Sequence, residues 1–180
     1  KTMRIGGMEL RKIAGEQHET RKLLFEADDS ELVESVLMRD DAEAEDEEEM
    51  PSGTTSPAER LSLCVSSQVG CALACAFCRT GFGGFRRNLR TDEIVGQVIE
   101  ARRLLADGEA LGNIVFMGMG EPLLNLDAVI PALRLLTSPQ ALAFSPRRII
   151  VSTSGVIPGI EALARADTGV NLAVSLNATT

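Results

Sequence analysis

Three of the four cysteines fall together as Cys71-Ala-Leu-Ala-Cys75-Ala-Phe-Cys78, a C-x3-C-x2-C triplet, and Cys64 stands seven residues upstream. Without a sign of export, clustered cysteines more often serve metals or redox chemistry than structural disulfides. Three thiolates on one short loop can hold three irons of a 4Fe–4S cluster and leave the fourth iron open to a substrate, whereas four-thiolate ligation would close it. The alternative is a structural zinc site that takes Cys64 as its fourth ligand. Zinc ligands usually come as paired knuckles separated by a longer span, so the spacing favours iron and sulfur. Phe77, one place before Cys78, is ordinary core by its type.

The chain that must carry this loop has 180 residues, 44% hydrophobic and 24% charged, the profile of one soluble globular domain. No run approaches the roughly 18 apolar residues needed to span a bilayer, and Lys1 to Gly15 lacks a signal-peptide pattern. The expectation is a cytoplasmic protein with no membrane association. Tyr and Trp are absent, so the core must be aliphatic. The formal net charge of -8 argues at first against a polyanionic partner. Yet Asp40, Asp41, Glu43, Glu45, Asp46, Glu47, Glu48 and Glu49 supply all of it, and the remainder is neutral. Residues 40–58, which end in a Pro/Ser/Thr/Gly-rich stretch, read as a disordered acidic insert without a core of its own.

Before the insert, residues 1–39 hold two Leu/Val-rich runs, Thr20 to Glu26 and Glu31 to Met38, separated by Ala27-Asp28-Asp29-Ser30. That pattern predicts a small antiparallel β hairpin, with Lys1 to Glu19 as a truncated edge or loop. After the insert, residues 59–180 alternate strands with helices. Arg60 to Ser66, Asn113 to Met117, Arg148 to Ser152 and Val170 to Leu176 read as strands. Helices fit a stretch capped by Thr91 and ended by Gly108, then Asp127 to Leu136 and Ile157 to Ala166. The order βαβαβαβ implies an α/β fold with parallel strands, a partial barrel whose ligands gather after the strands' carboxyl ends. The cysteine loop, Gly118 to Pro122, Ser152 to Gly155 and Ser175 to Asn177 all fall there. The sequence stops just after its last strand, so a fragment of a larger barrel is expected.

The motifs Cys64-Val-Ser-Ser-Gln-Val-Gly-Cys71, the triplet itself, Gly84-Phe-Arg-Arg-Asn-Leu89, Met117-Gly-Met-Gly-Glu-Pro122, Ser152-Thr-Ser-Gly155 and Ser175-Leu-Asn-Ala178 occur in one order. Together they resemble the RlmN-type radical SAM RNA methyltransferases, relatives of the Cfr resistance enzymes. The resemblance runs from about Thr20 to the end, interrupted by the acidic insert.

That resemblance implies a radical SAM partial barrel in which Cys71, Cys75 and Cys78 ligate a 4Fe–4S cluster. The open iron would chelate S-adenosylmethionine (SAM), whose reductive cleavage gives a 5′-deoxyadenosyl radical. An electron donor such as flavodoxin or ferredoxin is implied. Phe77, Gly120, Glu121, Ser152, Ser175, Leu176 and Asn177 fall at SAM-binding positions, and many members carry His where Asn177 stands. The implied reaction is methylation of adenine C2 in 23S rRNA, and in tRNA, through a methylated cysteine. Glu34 matches the general base. Cys64 matches the resolving cysteine, which releases the product by forming a disulfide. No cysteine follows Cys78 to carry the methyl group, which adds to the expectation of a fragment. Arg79, Arg86, Arg87 and Arg90 are expected to contact RNA phosphates. The alternatives are a Cfr-like C8 methyltransferase and a non-catalytic zinc or iron–sulfur module.

Overall fold

Side chains that alternate between a buried and an open face organise the hairpin strands near the start of the chain. The computed structural model describes residues 7–16, 19–39 and 59–176; the acidic segment 40–58 and Asn177 lie outside the described residues. Strand β1 (Met8–Ala14) leads into β2 (Arg21–Ala27) and β3 (Leu32–Arg39). Every second residue of the latter two is buried, with Leu23 and Phe25 on one strand and Val33, Ser35 and Leu37 on the other. The expected turn joins them: Ser30 donates to the Ala27 carbonyl at 2.9 Å and occupies a left-handed conformation. β1 was read as an edge or loop, and it is an edge strand, paired antiparallel with β2 and bulged between Leu10 and Lys12. Glu9, Arg11 and Lys12 hide its alternation, while Arg11 ties it to Glu26 of β2 at 2.7 Å.

The remaining elements follow in order. They are β4 (Glu59–Cys64), β5 (Gln68–Gly70), the single-turn α1 (Arg79–Phe82), β6 (Phe85–Asn88), α2 (Thr91–Arg103), β7 (Glu109–Phe116), α3 (Leu126–Thr137), β8 (Ile149–Thr153), α4 (Ile157–Arg165) and β9 (Asn171–Val174). Each expected strand and helix of the alternating region is present, α2 stopping short of Gly108. The main sheet runs β1-β2-β3-β4-β7-β8-β9, antiparallel as far as β4 and parallel beyond it. The N-terminal hairpin is therefore continuous with the parallel sheet, through pairs such as Val36 with Cys64 and Arg39 with Leu61. β5 and β6 form a separate two-stranded ladder.

One face of the sheet holds the aliphatic core. Leu61, Leu63, Ile114, Phe116, Ile149 and Val151 join Ile94 and Val98 of α2 and Val129, Leu133 and Leu136 of α3 in one buried cluster. Because side chains alternate, Ser62, Cys64, Val115, Ile150 and Ser152 point to the opposite face. On β3, Val33, Ser35 and Leu37 are on the core side, so Glu34 and Val36 share the face of Cys64, the register partner of Val36. No helix among the described residues is long and apolar enough to cross a membrane.

Arg87 fixes the β5–β6 ladder to both neighbours. It forms one fork to Asp29 in the β2–β3 turn, at 2.6 and 2.9 Å, and another to Glu93 of α2, at 2.8 and 2.9 Å. Glu93 is fully buried and also accepts the Arg90 N–H at 2.8 Å, so it caps α2, the role the sequence suggested for Thr91. Thr91 instead donates to the Ala128 carbonyl of α3.

The guanidinium of Arg87 holds Asp29 down to about 2, from 3.8. A carboxylate depressed in this way stabilises the fold above its ordinary value, and that contribution is lost as pH falls from 3.8 to about 2. Arg87→Met should cost about 2 kcal/mol at pH 7, less than loss of a lone buried partner because Arg90 still reaches Glu93. It should also remove the Asp29 part of the acid sensitivity. Urea unfolding at several pH values measures both, and an unchanged midpoint at neutral pH would contradict the assigned clamp.

Candidate active site

At the carboxyl end of β4 the chain turns through Val65, Ser66 and Ser67, and the loop after β7 lies directly against it. Two glycines make that approach possible. A β-carbon on Gly118 would sit 2.6 Å from Ser66 Oγ and 2.8 Å from the Val65 carbonyl oxygen. Gly120 has φ +99°, and a β-carbon there would meet Gln68 Cβ at 2.5 Å. Between them, the Met119 carbonyl accepts the N–H groups of Ser67 and Gln68 at 2.8 and 3.1 Å. Gln68 Oε1 accepts the Glu121 N–H at 3.0 Å, and the Gln68 amide donates to Asn88 at 2.8 Å. Asn125 closes the cradle from the other side, donating to the carbonyls of Ser67 and Leu89 at 2.7 and 2.8 Å. Sequence reasoning passed over Gln68, Asn88 and Asn125; their signal is polar side chains inside loop motifs, which composition does not separate from ordinary turns.

Glu121 is only 3% exposed. Its Oε1 accepts the Leu123 N–H at 3.1 Å, and its Oε2 accepts both the N–H and the hydroxyl of Ser154, at 3.0 and 3.1 Å. A carboxylate offers about four lone-pair directions, so three bonds leave room for one further donor. Glu121 thus joins the β7 and β8 loops while keeping capacity for an ammonium, and Ser154 is a partner that sequence reasoning did not single out. Ser152 and Ser175 come together with their hydroxyls 3.3 Å apart, held by the Ser175 N–H bond to the Thr153 carbonyl at 2.9 Å. Leu176 is exposed.

The cysteine loop is an excursion from the β5–β6 ladder. Gly70, at φ +75°, and Gly84, at φ +70°, meet at its base, where Cys71 N–H donates to the Gly84 carbonyl at 3.1 Å. No side chain fits at Gly70, because its β-carbon would fall on that carbonyl. Cys78 N–H donates to the Cys75 carbonyl at 3.0 Å, and Cys78 then opens α1. The backbone N–H groups of Gly81 and Thr80 face its sulfur and draw the thiol below its usual range. Cys64 differs: it is buried on the strand, and burial pushes its thiol up. All four cysteines are free, and those of the loop are partly accessible.

Among the described residues, no three His, Cys, Asp or Glu side chains converge closely enough to hold one metal ion. A cluster makes a different demand, since each thiolate binds a separate iron. Three accessible thiols on a glycine-based loop, one of them with a depressed pKa, fit that demand. Phe77, 73% exposed, stands within the same loop.

The sequence model of the radical SAM superfamily matches residues 65–180. The chain belongs to that superfamily. Radical SAM proteins use a 4Fe–4S cluster and SAM, and the loop cysteines are the residues here with the chemistry to hold the cluster. Curated relatives support the RlmN-type resemblance within the superfamily. The dual-specificity RNA methyltransferase RlmN of Syntrophobacter fumaroxidans is 48% identical over 159 residues, which cover 88% of this chain and 41% of that protein. That of Geobacter sulfurreducens is 51% identical over 161 residues, covering 89% and 39%. A radical SAM methyltransferase from Sphaerobacter thermophilus superposes with a TM-score of 0.81 at 40% identity, covering 96% of this chain and 46% of that one. The chain thus spans less than half the length of these relatives.

The arginines around the loop divide into two pairs. Arg87 and Arg90 are engaged within the radical SAM fold, Arg90 with Asp92 at 3.0 Å and Glu93 at 3.2 Å, so neither offers an unencumbered charge to phosphate. Arg79 is exposed, and Arg86 is largely exposed and 3.8 Å from Glu31.

Gly120→Ala tests the loop contact. A side chain at this φ costs about 1–3 kcal/mol, and the clash with Gln68 displaces the Glu121 segment as well. Urea unfolding should show the loss, and equilibrium dialysis of the cluster-loaded protein should show weakened SAM binding; an unchanged SAM affinity would refute the role given to this loop.

Proposed function

We propose that this chain forms part of an RNA methyltransferase that modifies adenine C2 in 23S rRNA and in tRNA, in the cytoplasm, through a methylated cysteine. The observation that carries the reading is the common face of Glu34, Cys64 and Ser152, at the sheet end where the cysteine loop emerges. When bound, the cluster and SAM supply one-electron cleavage chemistry. Cys71, Cys75 and Cys78 would hold the cluster. Phe77, Gly120, Glu121, Ser152, Ser175, Leu176 and Asn177 would surround SAM, Glu121 offering its remaining lone pair to the ammonium.

Glu34 is exposed on this face, where its carboxylate would accept a proton from a substrate carbon. Cys64 is kept a thiol by burial, so it stays unreactive until a base removes its proton. It then serves as the resolving cysteine: its thiolate attacks the sulfur of the cysteine that is bonded through a methylene to the adenine, the S–S bond forms as that S–C bond breaks, and the released carbon takes up a proton to become the methyl group. RNA recognition is supported by Phe82 and Phe85, both exposed in and beside the cysteine loop, with Arg79 and Arg86 close in sequence. Unstacked bases bind aromatic faces, and guanidinium groups bind phosphate. A flavodoxin or ferredoxin would deliver the electron.

Anaerobic reconstitution with iron and sulfide should give a brown protein that cleaves SAM to 5′-deoxyadenosine on reduction. Cys75→Ala should take up no intact cluster. A colourless protein with one zinc per chain, or full cluster content in Cys75→Ala, would overturn the assignment. In a protein spanning the relatives' full length, mass spectrometry of treated RNA should find 2-methyladenosine; 8-methyladenosine would overturn the C2 reading.

A further inference from the structure

The antiparallel ladder between β3 and β4 ends at the pair Val36 and Cys64. Extending the register would set Glu34 opposite Ser66, but β4 has already ended. The peptide groups of Glu34 therefore need other partners, and two loop side chains supply them. Ser66 Oγ donates to the Glu34 carbonyl at 2.6 Å, and the Glu34 N–H donates to Met119 Sδ at 3.3 Å. The same Ser66 hydroxyl accepts the Met119 N–H at 2.7 Å. Gln97 of α2 braces this triangle from the core, accepting from the Ser35 hydroxyl at 2.6 Å and the Ser66 N–H at 2.9 Å and donating to the Ser66 carbonyl at 3.1 Å. Ser35, Ser66 and Gln97 are all fully buried, so their bonds have no competition from water.

We infer that Ser66 and Met119 are positioning residues that lock the strand carrying Glu34 to the loop carrying Gly120 and Glu121, so that SAM binding and the placement of Glu34 are coupled. The inference rests on the proposed SAM loop and on Glu34 as the base. SAM bound against Glu121 holds the loop, the loop holds Met119, and Met119 and Ser66 hold the Glu34 peptide. Coupling between sites is reciprocal, so loosening the Glu34 strand weakens SAM binding in turn.

The test is amide hydrogen exchange at residue 34, read by mass spectrometry in the cluster-loaded protein with and without SAM. SAM should slow exchange at Glu34 by about tenfold, the scale of one hydrogen bond. In Ser66→Ala the protection should shrink to within about twofold, and SAM affinity should fall by about the same factor as the lost protection. Met119→Leu preserves volume and removes only the acceptor, so it gives the same readout even where Ser66→Ala fails to fold. Absence of SAM protection at Glu34 in the unmodified protein, or full protection in Met119→Leu, would overturn the coupling. Glu34→Gln separates the two readings, because its peptide bonds are unchanged. Protection that persists in Glu34→Gln, together with undiminished RNA methylation by the same variant in a protein spanning the relatives' full length, would sink Glu34 as the base and leave the coupling standing.

Discussion

The structure depends on the close approach of two backbones at the carboxyl ends of β4 and β7. Gly118 and Gly120 are the only residue type that permits it, since a β-carbon at either would overlap Ser66, Val65 or Gln68. Once the two loops touch, the Met119 carbonyl can take two N–H groups from the β4 loop, and Gln68 can reach the Glu121 N–H. Glu121 in turn reaches the β8 loop through Ser154. Three successive loops of the parallel sheet are therefore one hydrogen-bonded body. The β5–β6 ladder that carries the cysteine loop joins it through Gln68 and Asn88.

This arrangement divides the sheet's work between its faces. The face under α2 and α3 is aliphatic, and its rigidity comes from packing. The other face carries Ser62, Cys64 and Ser152, small and mostly polar residues that add little apolar packing. Such a face does not stabilise a fold alone. It is affordable because the helix-side core is continuous from Met8 of β1 to Leu163 of α4. Antiparallel β2 and β3 extend that core past β4, which gives the parallel sheet a covered neighbour on that side.

The alternating region was legible in the sequence because each element carries its own period and its own stop, such as the Ser138-Pro139 that ends α3. The cysteine triplet stands out in the sequence because thiols at that spacing have few uses other than holding a metal or cluster. Contacts between distant segments were not. Continuity of β3 with β4 spans the acidic segment, and local pattern says nothing of pairing across it. Arg87 and Arg90 read as a basic patch because their partners, Asp28, Asp29, Asp92 and Glu93, lie in other elements or beyond the loop. β1 is legible only as an edge or loop, because an edge strand with one covered face and several charges has almost no periodicity left. Gln97 looked like one polar residue on a helix, and only the fold shows four bonds converging on it.

The four thiols illustrate how one chain keeps like groups apart in chemistry. Cys71, Cys75 and Cys78 sit on an accessible loop hinged at Gly70 and Gly84, and the N–H groups of α1 favour the thiolate at Cys78. Those are conditions for ligating iron. Cys64 is fixed on a strand flanked by β3 and β7, and its desolvation favours the neutral thiol. A neutral thiol competes poorly for metal, so burial sets the Cys64 thiol apart in chemistry from the three accessible thiols of the loop.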